Sequence, residues 1–221
     1  MRTTPPFRAD HVGSLLRPQT LLKAREDFAA GRISAEALRE IEDQAITDVV
    51  RKQEEVGLQS ATDGEFRRNS WHMDFIYRIG GIEKAPGNLK VQFRNEQGVI
   101  EFTPAALRVG ERLHLKETIF GDDFKFLAEQ VTTATPKLTI PSPNMVHYRG
   151  GPAAIDRSVY PDLEEFWSDL AAVYADQVRR LAERYGIGAA PARDGVRAAA
   201  RAPARAPAPS AGPAAEQLTL L

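Results

Sequence analysis

The sequence predicts an α/β chain with parallel strands, an antiparallel hairpin inserted between the second and third, and a low-complexity tail. Three observations carry this. Short apolar runs ending in Gly, Pro or Ser recur at residues 9–12, 58–62 and 137–140, as strands do where they stop at a turn. Stretches of helical periodicity separate them. Beyond Gly186 the composition turns abruptly to Ala, Pro and Arg.

Each element has its own signal. Residues 15–28 form a short helical pattern ahead of Gly31. Ser34 suits the cap of a longer helix whose apolar residues Leu38, Ile41, Ala45, Val49 and Val56 recur three or four apart, and Gly57 stops it. Residues 89–93 and 98–102 alternate in polarity and predict a hairpin that forms a flap. Pro161 suits a first helical position. Leu163, Phe166, Trp167, Leu170, Tyr174 and Leu181 then make one stripe closed by Gly186. The predicted order is strand, helix, strand, hairpin, helix, strand, helix, a parallel α/β plan with its loops on one face. Residues 187–221 offer almost no large side chain to bury, so they predict a disordered tail, with Leu218, Leu220 and Leu221 as an apolar end.

Composition bounds the function. The chain has 221 residues, 43% hydrophobic and 27% charged, which suits one sizeable domain, a barrel or an open sheet. A formal net charge of −1 supplies no field for nucleic acid or an anionic membrane. No apolar run has the length of a membrane span and no signal segment opens the chain, so the expected location is the cytoplasm. The absence of cysteine excludes disulfides, thiol catalysis and thiolate metal sites within this chain. The four histidines, His11, His72, His114 and His147, form no metal-ligand spacing, and no phosphate loop or nucleophile elbow occurs.

Three motifs carry candidate chemistry. In Thr62-Asp63-Gly64-Glu65-Phe66-Arg67-Arg68 two carboxylates flank a glycine. On an extended chain end both can face one ligand, to hold an ammonium group or act as acid and base. The same residues equally suit a capped turn, with Asp63 bonding local amides and Glu65 pairing with Arg67 or Arg68. In His11-Val12-Gly13-Ser14 the glycine lets backbone approach a ligand and Ser14 offers one hydrogen bond. An ordinary strand-to-helix turn, with Ser14 as cap, reads as well. In Thr139-Ile140-Pro141-Ser142-Pro143 two prolines stiffen a loop, and His147, Tyr148 and Arg149 beyond it suit either stacking on a planar ligand or an exposed surface.

Taken together, Asp10-His11-Val12-Gly13-Ser14-Leu15-Leu16-Arg17-Pro18, the Thr62–Arg68 motif and Thr139-Ile140-Pro141-Ser142-Pro143 resemble the cobalamin-independent methionine synthase family, and in particular its short single-barrel relatives. The resemblance spans residues 7–186 in order. It implies the N-terminal half of a (β/α)8 TIM-type barrel with an inserted hairpin, and transfer of a methyl group from a methylated folate to homocysteine. It implies that Glu65 meets the homocysteine ammonium group. Ser14 and the Val12 backbone, beside His11, would meet the polar groups nearby. Residues 141–148 correspond to a folate-contacting region. The family's zinc is held by a histidine, a glutamate and two cysteines from the later half of the barrel, so no metal ligand and no catalytic residue is assigned in this chain, and no turnover is expected from it alone.

About three of eight strand-helix units are expected in residues 1–186, followed by an unrelated ending. Two origins suit that ending: an out-of-frame reading of a GC-rich gene, or a short protein that keeps half a barrel for another purpose. A non-catalytic binding module, a half-enzyme needing a chain with the zinc ligands, or a related barrel acting on another thiol are the alternative functions. Uncovered barrel faces would favour self-association.

Overall fold

The computed structural model describes residues 11–87, 90–95, 98–103, 105–148 and 151–185. The predicted tail, Gly186, Asp10 and the first half of the 9–12 strand lie outside the described residues. His11 and Val12, the described half of that predicted strand, carry no strand pairing.

Helix α1 spans Gln19–Ala29. It begins four residues later than the apolar pattern suggests, because Pro18 holds its predecessor extended and its carbonyl starts the helix, accepting from the amides of Leu21 and Leu22. Helix α2, Ala35–Glu55, starts where predicted, with Ser34 Oγ accepting from the Ala37 amide at 3.2 Å. Gly57, at φ +80°, ends it, a conformation that costs glycine little. Val56 follows α2 and is exposed rather than part of its buried stripe.

The parallel sheet is smaller than the sequence suggests. Strand β1, Ser60–Ala61, and the last strand, β6, Thr135–Pro136, pair in parallel over two residues each. The Lys137 amide extends the ladder to the Ala61 carbonyl at 2.9 Å. The expected third strand at 137–140 therefore lies earlier, and its residues form the loop beyond the pair. Between β1 and β6 the chain builds mostly antiparallel structure. After a short helix α3, Met73–Ile76, strand β2, Ile79–Ala85, pairs with β5, Ala106–Leu115. The predicted hairpin, β3 (Val91–Asn95) with β4 (Gly98–Phe102), is nested between them. The long β2–β5 ribbon was not predicted. Its signal was the alternation of buried Leu107, Val109 and Leu113 in β5, while the glycines of β2 masked the partner. A bulge falls between Gly80 and Ile82, where Gly81 adopts φ +90° and any β-carbon would press on the Glu111 carbonyl.

Helix α4, Gly121–Gln130, leads to β6. A short helix α5, Asn144–Tyr148, follows, and α6, Leu163–Tyr185, closes the described region. Pro161 stands ahead of α6 rather than within it. Asp162 serves the first turn instead, its carboxylate accepting from the Glu164 amide. Two apolar cores result. One gathers Phe75, Ile76, Val109, Ile119 and Tyr160 with Phe166 and Leu170 of α6. The other packs Leu21 of α1 and Ile46 and Val50 of α2 against Ala61, Phe66, Phe124 and Leu127. No helix among the described residues is long and apolar enough to cross a membrane.

At the end of α2, Glu54 accepts from the amides of Thr132, Thr133 and Ala134 and from the Thr132 hydroxyl, at 2.6–2.9 Å. The Ala134 and Thr133 amides, with the Thr132 hydroxyl, hold its carboxyl down from the ordinary 4.5 to about 2. A depressed carboxyl contributes stability above its unfolded value and loses it as pH falls towards the folded one. Thermal melts of Glu54→Gln should therefore show a lower midpoint than native protein at pH 6, with the gap closing between pH 4.5 and about 2. A gap constant over that range would contradict the assignment.

Candidate functional site

The three motifs, separated by dozens of residues in sequence, meet at the exit of the β1–β6 pair. Buried Gln53, one turn from the end of α2, starts the arrangement. Its Nε2 donates to the Thr62 carbonyl at 2.8 Å and its Oε1 accepts from the Thr62 amide at 3.0 Å. Thr62 is thereby held as a neighbouring strand would hold it. Its hydroxyl then donates to the Gly13 carbonyl at 2.7 Å, and the Leu15 amide donates to the Gly64 carbonyl at 3.1 Å. Arg17 Nη2 completes the stitch, donating to the carbonyls of Glu65 at 2.8 Å and Arg68 at 2.7 Å.

Asp63 and Glu65 do not lie on an extended end. Gly64 and Glu65 both adopt the left-handed region, at φ +66° and +59°. The chain folds into a turn in which Asp63 Oδ1 accepts from the Glu65 amide at 2.9 Å. The capped-turn arrangement therefore describes Asp63, which is 6% exposed, and burial pushes its carboxyl up despite that bond. A non-glycine residue in this region costs about 1–2 kcal/mol, and such strain is found where a side chain must be aimed. Here the aimed group is the Glu65 carboxylate, 5% exposed, with Oε1 accepting from Thr139 Oγ1 at 2.7 Å. Arg68 Nη1 lies 3.5 Å from the same oxygen. Oε2 makes no hydrogen bond among the described residues.

Arg68 is itself 3% exposed and committed elsewhere. Its Nη2 donates to the Thr139 carbonyl at 2.7 Å, Nη1 reaches the Trp71 carbonyl at 3.4 Å, and the guanidinium lies 4.3 Å from the centre of the Phe120 ring. Arg67 turns away, pairing with Asp43 and Asp123.

The sequence-predicted residues divide accordingly. Ser14 is exposed beside this turn, and Val12, 85% exposed, presents its side chain outward. His11 bolts the segment to β1, its Nε2 lying 3.2 Å from the Ser60 carbonyl. Gly13 adopts φ +130°. Any β-carbon there would overlap Thr139 Cγ2, so the glycine admits Thr139. His147 packs its ring 5.3 Å from that of Trp167 on α6, while Tyr148 is exposed and Arg149 lies outside the described residues. Thr62, Thr139, Arg17 and Arg68 stand within the three motifs, but the sequence alone shows neither their hydrogen bonds nor the burial of Arg68. Thr62 directly follows β1 and Thr139 stands three residues past β6, so no shared spacing marks the two threonines in the sequence. No three His, Asp or Glu side chains gather at metal-binding distance among the described residues, and the chain has no cysteine.

No protein-family model matches the chain. YxjH of Bacillus subtilis (strain 168), an uncharacterized protein, is 44% identical over 174 residues, covering 79% of this chain and 44% of YxjH. Methionine synthase of Pyrococcus horikoshii is 27% identical over 175 residues, 79% of this chain and 48% of that protein. A solved structure from Listeria monocytogenes, provisionally designated a vitamin-B12-independent methionine synthase, superposes with a TM-score of 0.65 at 38% identity, over 82% of this chain and 50% of that one. The chain thus spans about half the length of the proteins it matches. By sequence and by α/β fold, it is a relative of the cobalamin-independent methionine synthases and of their short archaeal members.

Proposed function

We propose that this chain supplies the amino-acid-recognition part of a methyltransferase that moves a methyl group from a methylated folate to homocysteine. The observation that carries the reading is the convergence of all three motifs on the turn that bears Glu65, whose backbone is strained and whose carboxylate is anchored through one oxygen by Thr139. Relatives named methionine synthase support methyl transfer at the level of the family. The two substrates are our own step.

In this reading Glu65 Oε2 receives the homocysteine ammonium group as a charge-assisted hydrogen bond. The Ser14 hydroxyl and the Val12 backbone meet the polar groups beside it, and His11 keeps that segment against β1. The loop 141–148 faces the folate. The β1–β6 pair is then the start of a (β/α)8 barrel whose loops gather at this end. The zinc implied by the family does not fit the residues described: the chain has no thiolate, and no three candidate ligands converge. No step is therefore assigned to a metal in this chain.

A second reading has its own observation. A groove of about 600 Å³, lined in part by Leu16, Pro18, Ile41, Val49 and Phe66, lies along α2 next to the motif junction, and Leu16 is 95% exposed. It suits a half-enzyme that docks a chain bearing the zinc ligands. Co-expression with the remaining half of a relative such as YxjH should then yield a zinc-containing complex that neither chain gives alone.

Titration calorimetry tests the first reading. Homocysteine should bind, and Glu65→Gln should weaken it by about 10- to 100-fold, the worth of one hydrogen bond between charged groups. Equal affinity in the variant would remove Glu65 from the site. Purified chain given zinc, homocysteine and methylated folate should form no methionine above background. Metal-dependent product would overturn the division of labour drawn here.

A further inference from the structure

We propose that Thr139 is the positioning residue that makes this site selective for an α-ammonium group, its hydroxyl aiming Glu65 and its methyl seating the segment that carries Val12 and Ser14. The inference rests on the reading above, in which Glu65 receives the amino group of a thiol-bearing amino acid.

Thr139 lies two residues beyond the last ladder bond of the parallel pair, from the Lys137 amide to the Ala61 carbonyl. It runs beside the Thr62–Glu65 turn. Three of its groups are in use. Oγ1 donates to Glu65 Oε1 at 2.7 Å, the carbonyl accepts from Arg68 Nη2 at 2.7 Å, and Cγ2 occupies the space where Gly13 has no β-carbon. Gly13 is pinned from its other side by the Thr62 hydroxyl. One side chain therefore touches both poles of the candidate site.

The hydroxyl has a competitor. Arg68 Nη1 stands 3.5 Å from Glu65 Oε1, beyond normal hydrogen-bond length. With the Thr139 hydroxyl in place, that oxygen is occupied at 2.7 Å and the carboxylate is held off the guanidinium. Without it, a long side chain with free rotamers swings onto Arg68 and spends its charge in a closed ion pair. A carboxylate closed on arginine offers little to an incoming ammonium. Threonine is the residue that carries both a hydroxyl and a methyl on one branched, stiff carbon. Serine keeps the first and loses the second, and valine does the reverse.

That pair of substitutions separates the two roles. The probes are L-homocysteine and 4-mercaptobutanoate, which keeps the thiol and carboxylate but lacks the ammonium group. Their affinities are measured by calorimetry on the full chain. Native protein should prefer homocysteine. Thr139→Val should lose that preference by about tenfold or more, with 4-mercaptobutanoate little changed. Thr139→Ser should keep the preference while binding both probes more weakly. A native-like preference in Thr139→Val, or equal loss in Thr139→Ser, overturns the inference and leaves the methyl-transfer reading standing. Native protein that binds neither probe overturns that reading and the selectivity with it. A double-mutant cycle of Thr139→Val with Glu65→Gln on the denaturation midpoint then examines the bond alone: coupling between the two is expected, and additivity overturns the positioning role.

Discussion

Among the described residues, side chains do the work of neighbouring strands. The parallel pair is two residues long, so the backbone groups leaving it have no ladder to join, and buried amides without partners cost about 1–3 kcal/mol each. Gln53 resolves this at Thr62 by presenting both its donor and its acceptor to one residue. Gln177, on α6, repeats the device at Ile119, with both bonds at 2.9 Å. In each case a helix lends its neighbour a two-point amide in place of a strand. Tyr160 does the same for the Leu113 amide, and Glu54 for three amides ahead of β6. The placement of the Thr62–Arg68 turn follows from the first of these, because the Gln53 bonds hold the residue that directly follows β1.

That turn explains why a strained residue persists. Glu65 adopts a left-handed backbone that its side chain resists. Its amide is held by Asp63, its carbonyl by Arg17 and its carboxylate by Thr139. Each bond contributes about 1 kcal/mol, more where a charge is involved, so together they exceed the strain. Asp63 is part of that balance. Burial raises its carboxyl, and the Glu65 amide and the nearby Arg68 charge oppose the rise. The acidic pair is thus unequal, Asp63 capping the turn through the Glu65 amide and Glu65 bonded across it to the Thr139 hydroxyl.

The helices were legible because their signals are local. The Ser34 cap, the Gly57 stop and the apolar stripe of α6 depend on residues within a few turns of one another. The hairpin at 91–102 was legible for the same reason. What failed was non-local. The β2–β5 ribbon joins residues separated by up to 36 positions, from Ile79 to Leu115, and the weak polarity pattern of β2 names no partner. Glu65 was found from its company in sequence, yet its geometry was misjudged, since nothing local shows that Thr139 occupies the space beside Gly13. The contacts that define the site connect positions 13, 62, 65 and 139. Only the fold brings those positions together.

Recognition and activation are separable at such a site. A free thiol ionises near pH 8.5, so only a few per cent is thiolate at pH 7, and methyl transfer needs that thiolate. Two guanidiniums among the described residues stand close to Glu65: Arg17 is tied to the Glu65 and Arg68 carbonyls, and Arg68 is tied to the Trp71 and Thr139 carbonyls and stacked on Phe120. A guanidinium so committed cannot also lower the thiol's ionisation, because it cannot move to meet it. What Glu65 and its supports provide instead is orientation. An amino acid fixed by its ammonium end must project its thiol away from this acidic turn, towards whatever group activates it. That direction favours reaction electrostatically, since a thiolate held near a second carboxylate would be harder to form.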